Sequence, residues 1–520
     1  MQKLFYNCDI ITLEDTKGEC LLTEDGVISF VGDLDEGKRR AAPDCEKIDL
    51  CGACLLPAFI DAHSHISQVA QTLTLCALHG SRSLAEIKEK ILRFKSERNL
   101  SDTDWILAFG YDNNDLESRR HPTAAELDEI SVSNPILLTH ASGHMGVFNS
   151  AALRAIGAEN PQDIEGGMIG RTSSGAPDGY MEEKAFFYYS AKLESKEKSD
   201  GVRLMREAQK LYASYGIATA QDGLVNENNF ALLSECAKKG ELFLDVVGYV
   251  DVKKCPQIYK ENREYQNKYN GRFKLGGYKL FLDGSPQGKT AWLTEPYEGD
   301  ESRGYPIYSD DEAERLCRIA QEEDVQLLTH VNGDAAAEQL LRILAKTKTK
   351  RRPVAIHAQV MRRDQIAALK KQNVIPSFFV AHVYHWGDVH LQNLGQERAS
   401  RISAAREAED LRIPFTFHQD SPVIPPNMAE TLWCAVARKT KSGKTLGKDE
   451  SIDVLTAIRA VTINAAHQYF EEDKKGSLRE GKLADLVVLD KNPLKIDTDA
   501  LKNLQVLRTY KEGVLIYTKK

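Results

Sequence analysis

The sequence lacks the features that mark membrane proteins and disulfide-stabilised secreted domains. No run reaches the about 18 consecutive apolar residues that a membrane-spanning helix needs. The ten cysteines are scattered along 520 residues, which is typical of reduced thiols and not of a disulfide framework. The N-terminal stretch MQKLFYNCDIITLED carries Asp9 and has no long apolar core, unlike a signal peptide. We therefore expect a cytoplasmic protein without a membrane partner.

A basic stripe is also missing. The formal net charge is −8, and lysine and arginine alternate with acidic residues along the whole chain. Nucleic-acid binding needs clustered positive charge on one face or helix, so we expect no nucleic-acid partner. A chain of this length can bury a core large enough to hold a rigid site. The expected partner is a small-molecule substrate, and formation of a homodimer is left open as an alternative to a monomer.

What the sequence does contain is a repeated alternation of apolar, strand-like runs with helical patterns. Eight runs have strand character: CLLPAFIDAH, GIATAQDG, LFLDVVGYV, FKLGGYKLFLDG, VQLLTH, VAIHA, VIPSFFVAH and IPFTFHQD. Intervening stretches such as DDEAERLCRIAQEED show helical periodicity. This α/β alternation predicts parallel strands that close into a (β/α)8 TIM barrel, with a doubly wound open sheet as the main rival.

Two parts of the chain fall outside this alternation. Short strand patterns occupy residues 1–56 and 477–520, which predicts a small β-sandwich domain built from both chain termini beside a barrel domain of residues 57–476. Residues 67–215, after the first barrel strand, are too many for one helix and include the strand candidates WILAFGY and NPILLTH and a glycine-rich segment. We expect a folded, lid-like insertion there.

Residue types that bind metals recur at the ends of the predicted barrel strands. His63 and His65 lie two apart on one strand, so both side chains project to the same face. His330, His357 and Asp420 end or nearly end later strands. Barrel active sites are built at the C-terminal strand ends, and imidazole with carboxylate suits zinc, manganese, iron or nickel. The pattern predicts a divalent-metal site, with zinc favoured by availability.

The motifs resemble the metal-dependent amidohydrolase superfamily, and within it the branch that contains N-substituted formamide deformylase. They are LLPAFIDAHSHI, SGHMGVFNSAAL, GGYKLFLDGSPQGKTAWL, THVNGDAAAEQLL, IHAQV, HVYHWGDVH, HQDSPVIPP and GSLREGKLADLVVLDKNPL. The resemblance covers nearly the whole chain and implies a barrel with one or two divalent metal ions. By position it assigns metal binding to His63, His65, Lys279, His330, His357 and Asp420. Two departures, Ala58 for a common glycine and Gln419 for serine or asparagine, remove no ligand.

Lys279 lies within an apolar strand, GGYKLFLDGSP. Alternation places its side chain on the inward face with Leu275 and Gly277, opposite Tyr278. A buried ammonium beside metal ions is heavily penalised, so we expect a neutral amine that takes up carbon dioxide. The resulting carbamate offers two oxygens that can bridge two metals. The alternative is a neutral, hydrogen-bonding or outward-reaching lysine beside a single metal.

The resemblance implies hydrolysis of a carbon–nitrogen bond in an amide-type substrate such as an N-formyl or N-acyl amine. A bound metal lowers the pKa of its water to about 7, and Asp420 would shuttle the proton to the leaving nitrogen. A lactonase, phosphoesterase, decarboxylase or isomerase, and a metal-holding barrel without catalysis, stay open as alternatives. Candidate substrate contacts are His144, His382, Tyr111, Trp386 and Arg171.

Overall fold

The structure, a computed structural model, describes residues 1–193, 200–346 and 351–519. The chain divides into two compact units. The larger contains residues 1–67, 208–421 and the segment from Pro425 to the C-terminal end, and the smaller contains 68–207 and 422–424. The expected insertion of residues 67–215 therefore overlaps the smaller unit almost completely. None of the helices in the described ranges is long and apolar enough to cross a membrane.

The elements are numbered in chain order. The strands are β1 Gln2–Tyr6, β2 Asp9–Ile10, β3 Cys20–Glu24, β4 Val27–Gly32, β5 Glu46–Asp49, β6 Cys54–Pro57, β7 Phe59–Ile60, β8 Cys76–Ala77, β9 Ile106–Tyr111, β10 Ile136–His140, β11 Met145–Phe148, β12 Gly167–Arg171, β13 Pro177–Glu182, β14 Ile217–Val225, β15 Asp245–Asp251, β16 Phe273–Phe281, β17 Gln326–Val331, β18 Val354–His357, β19 Ile375–Phe378, β20 Thr416–Phe417, β21 Leu486–Leu489, β22 Val506–Lys511 and β23 Val514–Thr518.

The helices are α1 Leu34–Arg40, α2 Ile66–Thr72, α3 Leu84–Glu97, α4 Ala124–Asp128, α5 Ser150–Ala155, α6 Glu183–Ser190, α7 Gly201–Ser214, α8 Glu227–Lys238, α9 Gln257–Glu261, α10 Asp310–Glu322, α11 Asp334–Lys346, α12 Arg363–Gln372, α13 His382–His385, α14 Gly387–Ser400, α15 Ala405–Asp410, α16 Met428–Ala437, α17 Val454–Ala460 and α18 Ile463–Gln468. Short 3-10 helices lie at Arg263–Tyr265, Lys448–Glu450 and Thr498–Asn503.

Eight parallel strands of the larger unit form one sheet in which spatial order follows chain order: β7, β14, β15, β16, β17, β18, β19 and β20. Each of the eight strand segments expected from the sequence overlaps one of them. A doubly wound sheet reverses its strand order, so that rival is wrong and the fold is of the TIM-barrel type. Beyond the two outer strands, the backbone N–H of Asp420 donates to His63 O (3.2 Å) and that of His65 donates to Ser421 O (2.8 Å). These bonds link the first and last segments of the sheet.

Both chain ends contribute to two smaller sheets of the larger unit. One has the order β4-β3-β1-β5, and the other has the order β2-β6-β21-β22-β23. Apolar side chains of both sheets share one buried cluster, which includes Phe5 and Leu21 from the first and Leu55 and Val488 from the second. The strands near the two termini therefore pack together around a common core.

A buried group of charges connects the barrel to the C-terminal segment. Asp245, at the start of β15, contacts the ammonium of Lys475, that of Lys511 (2.8 Å) and the guanidinium of Arg272 (3.2 Å). Lys475 also contacts Glu471 at 2.9 Å. All except Arg272 are almost completely buried. Because an unpaired buried charge is costly, each of these groups depends on its partners.

The smaller unit is built on a six-stranded sheet with the order β12-β13-β11-β10-β9-β8. The strand candidates WILAFGY and NPILLTH form β9 and β10, which pair in parallel. The glycine-rich segment forms the antiparallel pair β12 and β13. Gly175 has φ +86° in the turn between them, a conformation that favours glycine. The predicted role of this insertion as a lid stays a prediction.

Candidate metal centre

Three predicted ligands meet where the first and last barrel strands end. The ligand atoms of His63, His65 and Asp420 lie within 4.8 Å of one another. Asp420 Oδ1 is 3.5 Å from His63 Nε2 and 3.3 Å from His65 Nε2. His63 is buried, whereas His65 and Asp420 keep 13% and 15% of their side-chain surface exposed. The group is therefore largely buried, with His65 and Asp420 partly accessible.

Lys279 reaches this group from the fourth strand, β16. Its Nζ lies 3.0 Å from His63 Nε2, and the side chain is fully buried. Tyr278, the preceding residue, points to the other side of the strand, where its hydroxyl donates to Glu323 Oε2 at 2.6 Å. Burial lowers the pKa of the Lys279 amine to about 7. About half of the Lys279 amine is therefore neutral at pH 7.

His330 on β17 and His357 at the end of β18 complete the set of six. His357 Nε2 is 3.1 Å from His330 Nδ1 and 3.9 Å from Asp420 Oδ2. His330 Nε2 lies 3.1 Å from Gly284 O and 3.0 Å from Asn332 Nδ2, and Nδ1 faces His357. The structure therefore brings together all six residues that the sequence placed at the centre.

The backbone is strained at two of these residues. His357 has φ +70° and Asp420 has φ +54°, in the left-handed region that residues other than glycine rarely adopt. Ala358 follows with φ +46°. Such conformations cost on the order of 1–3 kcal/mol each and concentrate at functional sites.

Electrostatics keeps the carboxylate of Asp420 charged, and burial keeps the imidazoles of His63 and His357 neutral. Burial alone would raise the pKa of Asp420, but the imidazoles of His65, His63 and His357 outweigh it and hold this pKa well below its usual range. Burial lowers the pKa of His63 and of His357 well below the usual value for histidine. A negative carboxylate among unprotonated ring nitrogens is the state that binds cations.

Gln221, on β14, holds His63 in one orientation. Its Oε1 accepts a hydrogen bond from His63 Nδ1 at 2.6 Å, so the lone pair of His63 lies on Nε2, which faces Asp420 and Lys279. The amide itself is held because its Nε2 donates to Ala62 O (2.7 Å) and to Tyr469 Oη (2.8 Å). Sequence reasoning did not identify Gln221. Its position in the apolar run GIATAQDG was the only available signal.

His418 is a further imidazole of the centre that sequence reasoning missed. It lies two residues before Asp420, and Gln419 between them donates to Thr431 Oγ1 at 2.6 Å. His418 is fully buried, and burial lowers its pKa to about 3. Its Nε2 is 3.2 Å from His357 Nδ1, and its Nδ1 is 2.9 Å from Ser377 Oγ.

The candidate substrate contact His382 lies in the larger unit and is buried. Its Nδ1 is 3.0 Å from His390 Nε2, and the two rings stack with centroids 5.3 Å apart. The ring of Trp386 lies 4.6 Å from that of His382. Phe379 connects this cluster to the centre, 4.6 Å from His382 and 5.3 Å from His418.

The other candidate substrate contacts belong to the smaller unit. Tyr111 is fully buried, and its hydroxyl is 2.9 Å from His121 Nδ1. His144 is exposed with Nδ1 3.2 Å from Glu183 Oε2, and Arg171 is exposed with Nη2 donating to Asp163 Oδ1 at 2.9 Å. Substrate binding by these three residues stays a prediction.

The donor set fits a divalent metal ion. His63 Nε2 is unprotonated when this histidine is neutral, because its Nδ1 donates to Gln221 Oε1. His330 Nδ1 is unprotonated in the tautomer whose Nε2 donates to Gly284 O. Asp420 Oδ1 is buried and accepts no hydrogen bond from the described residues. Several imidazole lone pairs and one carboxylate that converge in this way are satisfied by a cation.

Comparisons with known proteins agree with this geometry. A family model described as "Amidohydrolase family" matches residues 46–517. The chain is 28% identical to N-substituted formamide deformylase of Arthrobacter pascens, over 99% of this chain and 98% of that protein. It is 27% identical to the putative amidohydrolase YtcJ of Bacillus subtilis, over 100% of both chains.

Solved structures are similar as well. An uncharacterised metal-dependent hydrolase of Pyrococcus horikoshii OT3 gives a TM-score of 0.78 at 24% identity, covering 96% of this chain and 99% of that chain. An uncharacterised metal-dependent hydrolase of Pyrococcus furiosus gives 0.75 at 25% identity, covering 95% and 100%. The resemblance predicted from the motifs is confirmed.

Proposed function

Because the chain belongs to the amidohydrolase family and is therefore a metal-dependent hydrolase of carbon–nitrogen bonds, we propose that it cleaves the amide-type bond of an N-formyl or N-acyl amine. The observation that carries the proposal is the grouping of His63, His65 and Asp420 within 4.8 Å beside the buried amine of Lys279. The name of the relative N-substituted formamide deformylase supports an N-formyl amine as the first substrate class to test.

The six clustered residues would hold one or two divalent ions, with zinc as the proposed metal. His63 Nε2, His65 Nε2 and Asp420 Oδ1 face one another and would share one ion. His330 Nδ1 and His357 Nε2, 3.1 Å apart, would hold a second. Imidazole nitrogen and carboxylate oxygen are the ligands of catalytic zinc sites.

Lys279 is proposed to be carboxylated when two ions are bound. Its neutral amine would attack carbon dioxide, form a nitrogen–carbon bond and release a proton, which leaves an anionic carbamate. An ammonium would add positive charge to a site that already holds two cations, whereas a carbamate removes it. The low pKa of Lys279, about 7, supplies the neutral amine that this reaction needs.

Asp420 is the proposed proton carrier of the hydrolysis. A bound divalent metal supplies a water of lowered pKa and polarises the carbonyl. Asp420 Oδ1 faces the His63 and His65 pair, so Oδ2 is the oxygen proposed to accept the proton of the attacking water and to return it to the leaving nitrogen. The charged state that this requires is the one the surrounding imidazoles favour.

Turnover of a substrate panel by the zinc-loaded protein tests this function. The panel contains N-formyl amines, N-acyl amines, lactones and phosphotriesters. We expect hydrolysis of the first two classes, with Asp420→Asn reducing kcat at least about 100-fold because the proton carrier is lost. The surface variant Asp9→Asn serves as the matched control and keeps native kcat.

Other outcomes of the panel would redirect the proposal. Cleavage of lactones or phosphotriesters alone would assign the centre to a lactonase or phosphoesterase. Turnover that Asp420→Asn leaves unchanged would remove Asp420 from the mechanism.

We also propose a division of the chain into two domains. Residues 57–476 would form the catalytic barrel, and residues 1–56 with 477–520 would form a composite β-sandwich domain. The shared apolar cluster of the two sheets near the termini supports the sandwich. Residues 67–215 are proposed as an insertion that sets substrate specificity.

A further inference from the structure

Four side chains form a continuous hydrogen-bonded row through the barrel, which we call the imidazole chain: Ser377, His418, His357 and His330. Ser377 Oγ is 2.9 Å from His418 Nδ1, and His418 Nε2 is 3.2 Å from His357 Nδ1. His357 Nε2 is 3.1 Å from His330 Nδ1. The row ends at Gly284 O, which is 3.1 Å from His330 Nε2.

Two directions of donation satisfy the row at the His330 end, because His330 Nε2 lies 3.1 Å from Gly284 O, which accepts, and 3.0 Å from Asn332 Nδ2, which donates. In one direction His330 carries its proton on Nε2 and presents an unprotonated Nδ1 to His357, which donates to it from Nε2. His357 Nδ1 then accepts from His418 Nε2, and His418 Nδ1 accepts from the Ser377 hydroxyl. Every nitrogen of the chain is paired in this arrangement.

Metal binding requires the opposite arrangement at His357. Both His357 Nε2 and His330 Nδ1 must then be unprotonated, because lone pairs are what ligate a metal. His357 therefore carries its proton on Nδ1 and donates to His418 Nε2. His418 in turn carries its proton on Nδ1 and donates to Ser377 Oγ. Each histidine keeps one proton, so metal binding sets the direction of both hydrogen bonds without net proton release.

We propose that His418 and Ser377 are positioning residues that let His357 exchange between the two tautomers and so admit a metal ion. The inference rests on the proposed metal site. Neither nitrogen of His418 is directed at the centre, since both are engaged within the chain. Gln221 supports the same logic, because its amide oxygen already holds His63 in the tautomer that leaves Nε2 unprotonated.

Neutron diffraction of deuterium-exchanged crystals tests the proposal in the native protein. We expect deuterium on His357 Nδ1 and on His418 Nδ1 in the zinc-loaded protein, whichever direction the row takes without metal. Deuterium on Nε2 in the loaded protein would overturn the inference while leaving the proposed function intact. Failure of the native protein to bind zinc would remove the proposed function and the inference together.

An isosteric pair of variants provides the second measurement. His418→Gln can present an amide oxygen to the His357 Nδ1–H, whereas His418→Met has similar length and no such acceptor. We expect His418→Gln to bind zinc within about threefold of native and His418→Met to bind about 10- to 100-fold more weakly, in competition with a chromogenic chelator. Ser377→Ala should weaken binding in the same direction.

The control is His390→Met, which removes a buried imidazole that pairs with His382 and not with the imidazole chain. It should leave zinc affinity unchanged. Equal affinity of His418→Met and His418→Gln would contradict the proposal. If His418→Met does not fold, Ser377→Ala and the neutron result on the native protein still decide it.

Discussion

At the scale of the residue, burial of Lys279 has a consequence that can be measured without any metal. Its pKa falls from 10.5 to about 7 because the side chain is fully removed from water. Between these two values the unfolded chain binds a proton that the folded chain does not. The contribution of Lys279 to the free energy of unfolding of the metal-free protein should therefore become more favourable as pH rises from about 7 toward 10.5.

Lys279→Met tests this dependence. The variant buries no amine, so it should be more stable than the native metal-free protein at pH 6, and the difference should shrink by about 3 kcal/mol at pH 9. Urea unfolding of both proteins at the two pH values measures it, with the exposed Lys444→Met as the control. A difference that does not change with pH would mean that Lys279 is not buried as a titrating amine.

Residue types at the ends of predicted strands grouped His63, His65, His330, His357 and Asp420, and the family resemblance added Lys279. Alternation along GGYKLFLDGSP also turned Lys279 inward, and the structure has it there. Gln221 and His418 escaped this reasoning. A single polar residue in an apolar strand does not reveal its partner. Only the packed barrel shows that Gln221 contacts a ring nitrogen of His63 and that His418 contacts one of His357.

At the scale of the element, the position of Lys279 depends on how closely β16 approaches β17. Gly277, two residues before Lys279, pairs with Gln326 and has φ +151°. A Cβ at this position would lie 2.0 Å from the Gln326 carbonyl oxygen. Only glycine allows the two strands this contact without a shift of the backbone.

Gly277→Ala should therefore displace β16 and carry Lys279 with it. We expect a loss of about 1–3 kcal/mol in the free energy of unfolding and weaker zinc binding, measured by urea unfolding and chelator competition. Gly443→Ala is the matched control, since Gly443 also has positive φ (+83°) but a methyl group there would meet no described atom within 4 Å. It should cost only about 1 kcal/mol and keep native zinc affinity. If Gly277→Ala keeps native zinc affinity, the position of Lys279 does not depend on this contact between β16 and β17.

The barrel strands differ in how clearly the sequence marks them. Long runs such as FKLGGYKLFLDG give the nine-residue strand β16, but β7 and β20 have only two residues each. The chain around β7 and β20 is instead held by the irregular bonds that join His63 and His65 to Asp420 and Ser421. These bonds form only when the sheet closes and brings together segments far apart in the chain, so the local sequence pattern cannot predict them.

At the scale of the whole molecule, the charges around Asp245 link the barrel to the C-terminal segment. Asp245→Asn would leave Lys475, Lys511 and Arg272 without their common partner. We expect a loss of about 3–5 kcal/mol in the free energy of unfolding at pH 7, because a buried pair is broken from one side. Urea unfolding measures it, and Asp9→Asn, which breaks a surface pair with Lys495, should cost less than about 1 kcal/mol.

The pH dependence of this loss has a defined sign. The neighbouring lysines hold the pKa of Asp245 below its usual value despite burial, so its stabilising effect is present above the unfolded-state pKa. It is lost as pH falls through the folded-state pKa. The difference between the native protein and Asp245→Asn should therefore narrow when unfolding is measured at pH 3, and a constant difference would contradict the assignment.

The measurement that tests the central claim most directly is anomalous diffraction at the zinc edge from crystals of the zinc-loaded protein. The account predicts a peak within ligand distance of His63 Nε2, His65 Nε2 and Asp420 Oδ1. With a second peak beside His330 and His357, it further predicts continuous density from Lys279 Nζ to a carboxylate. No peak at His63, His65 and Asp420 would contradict the metal centre, and a bare Nζ beside two occupied positions would contradict the carbamate.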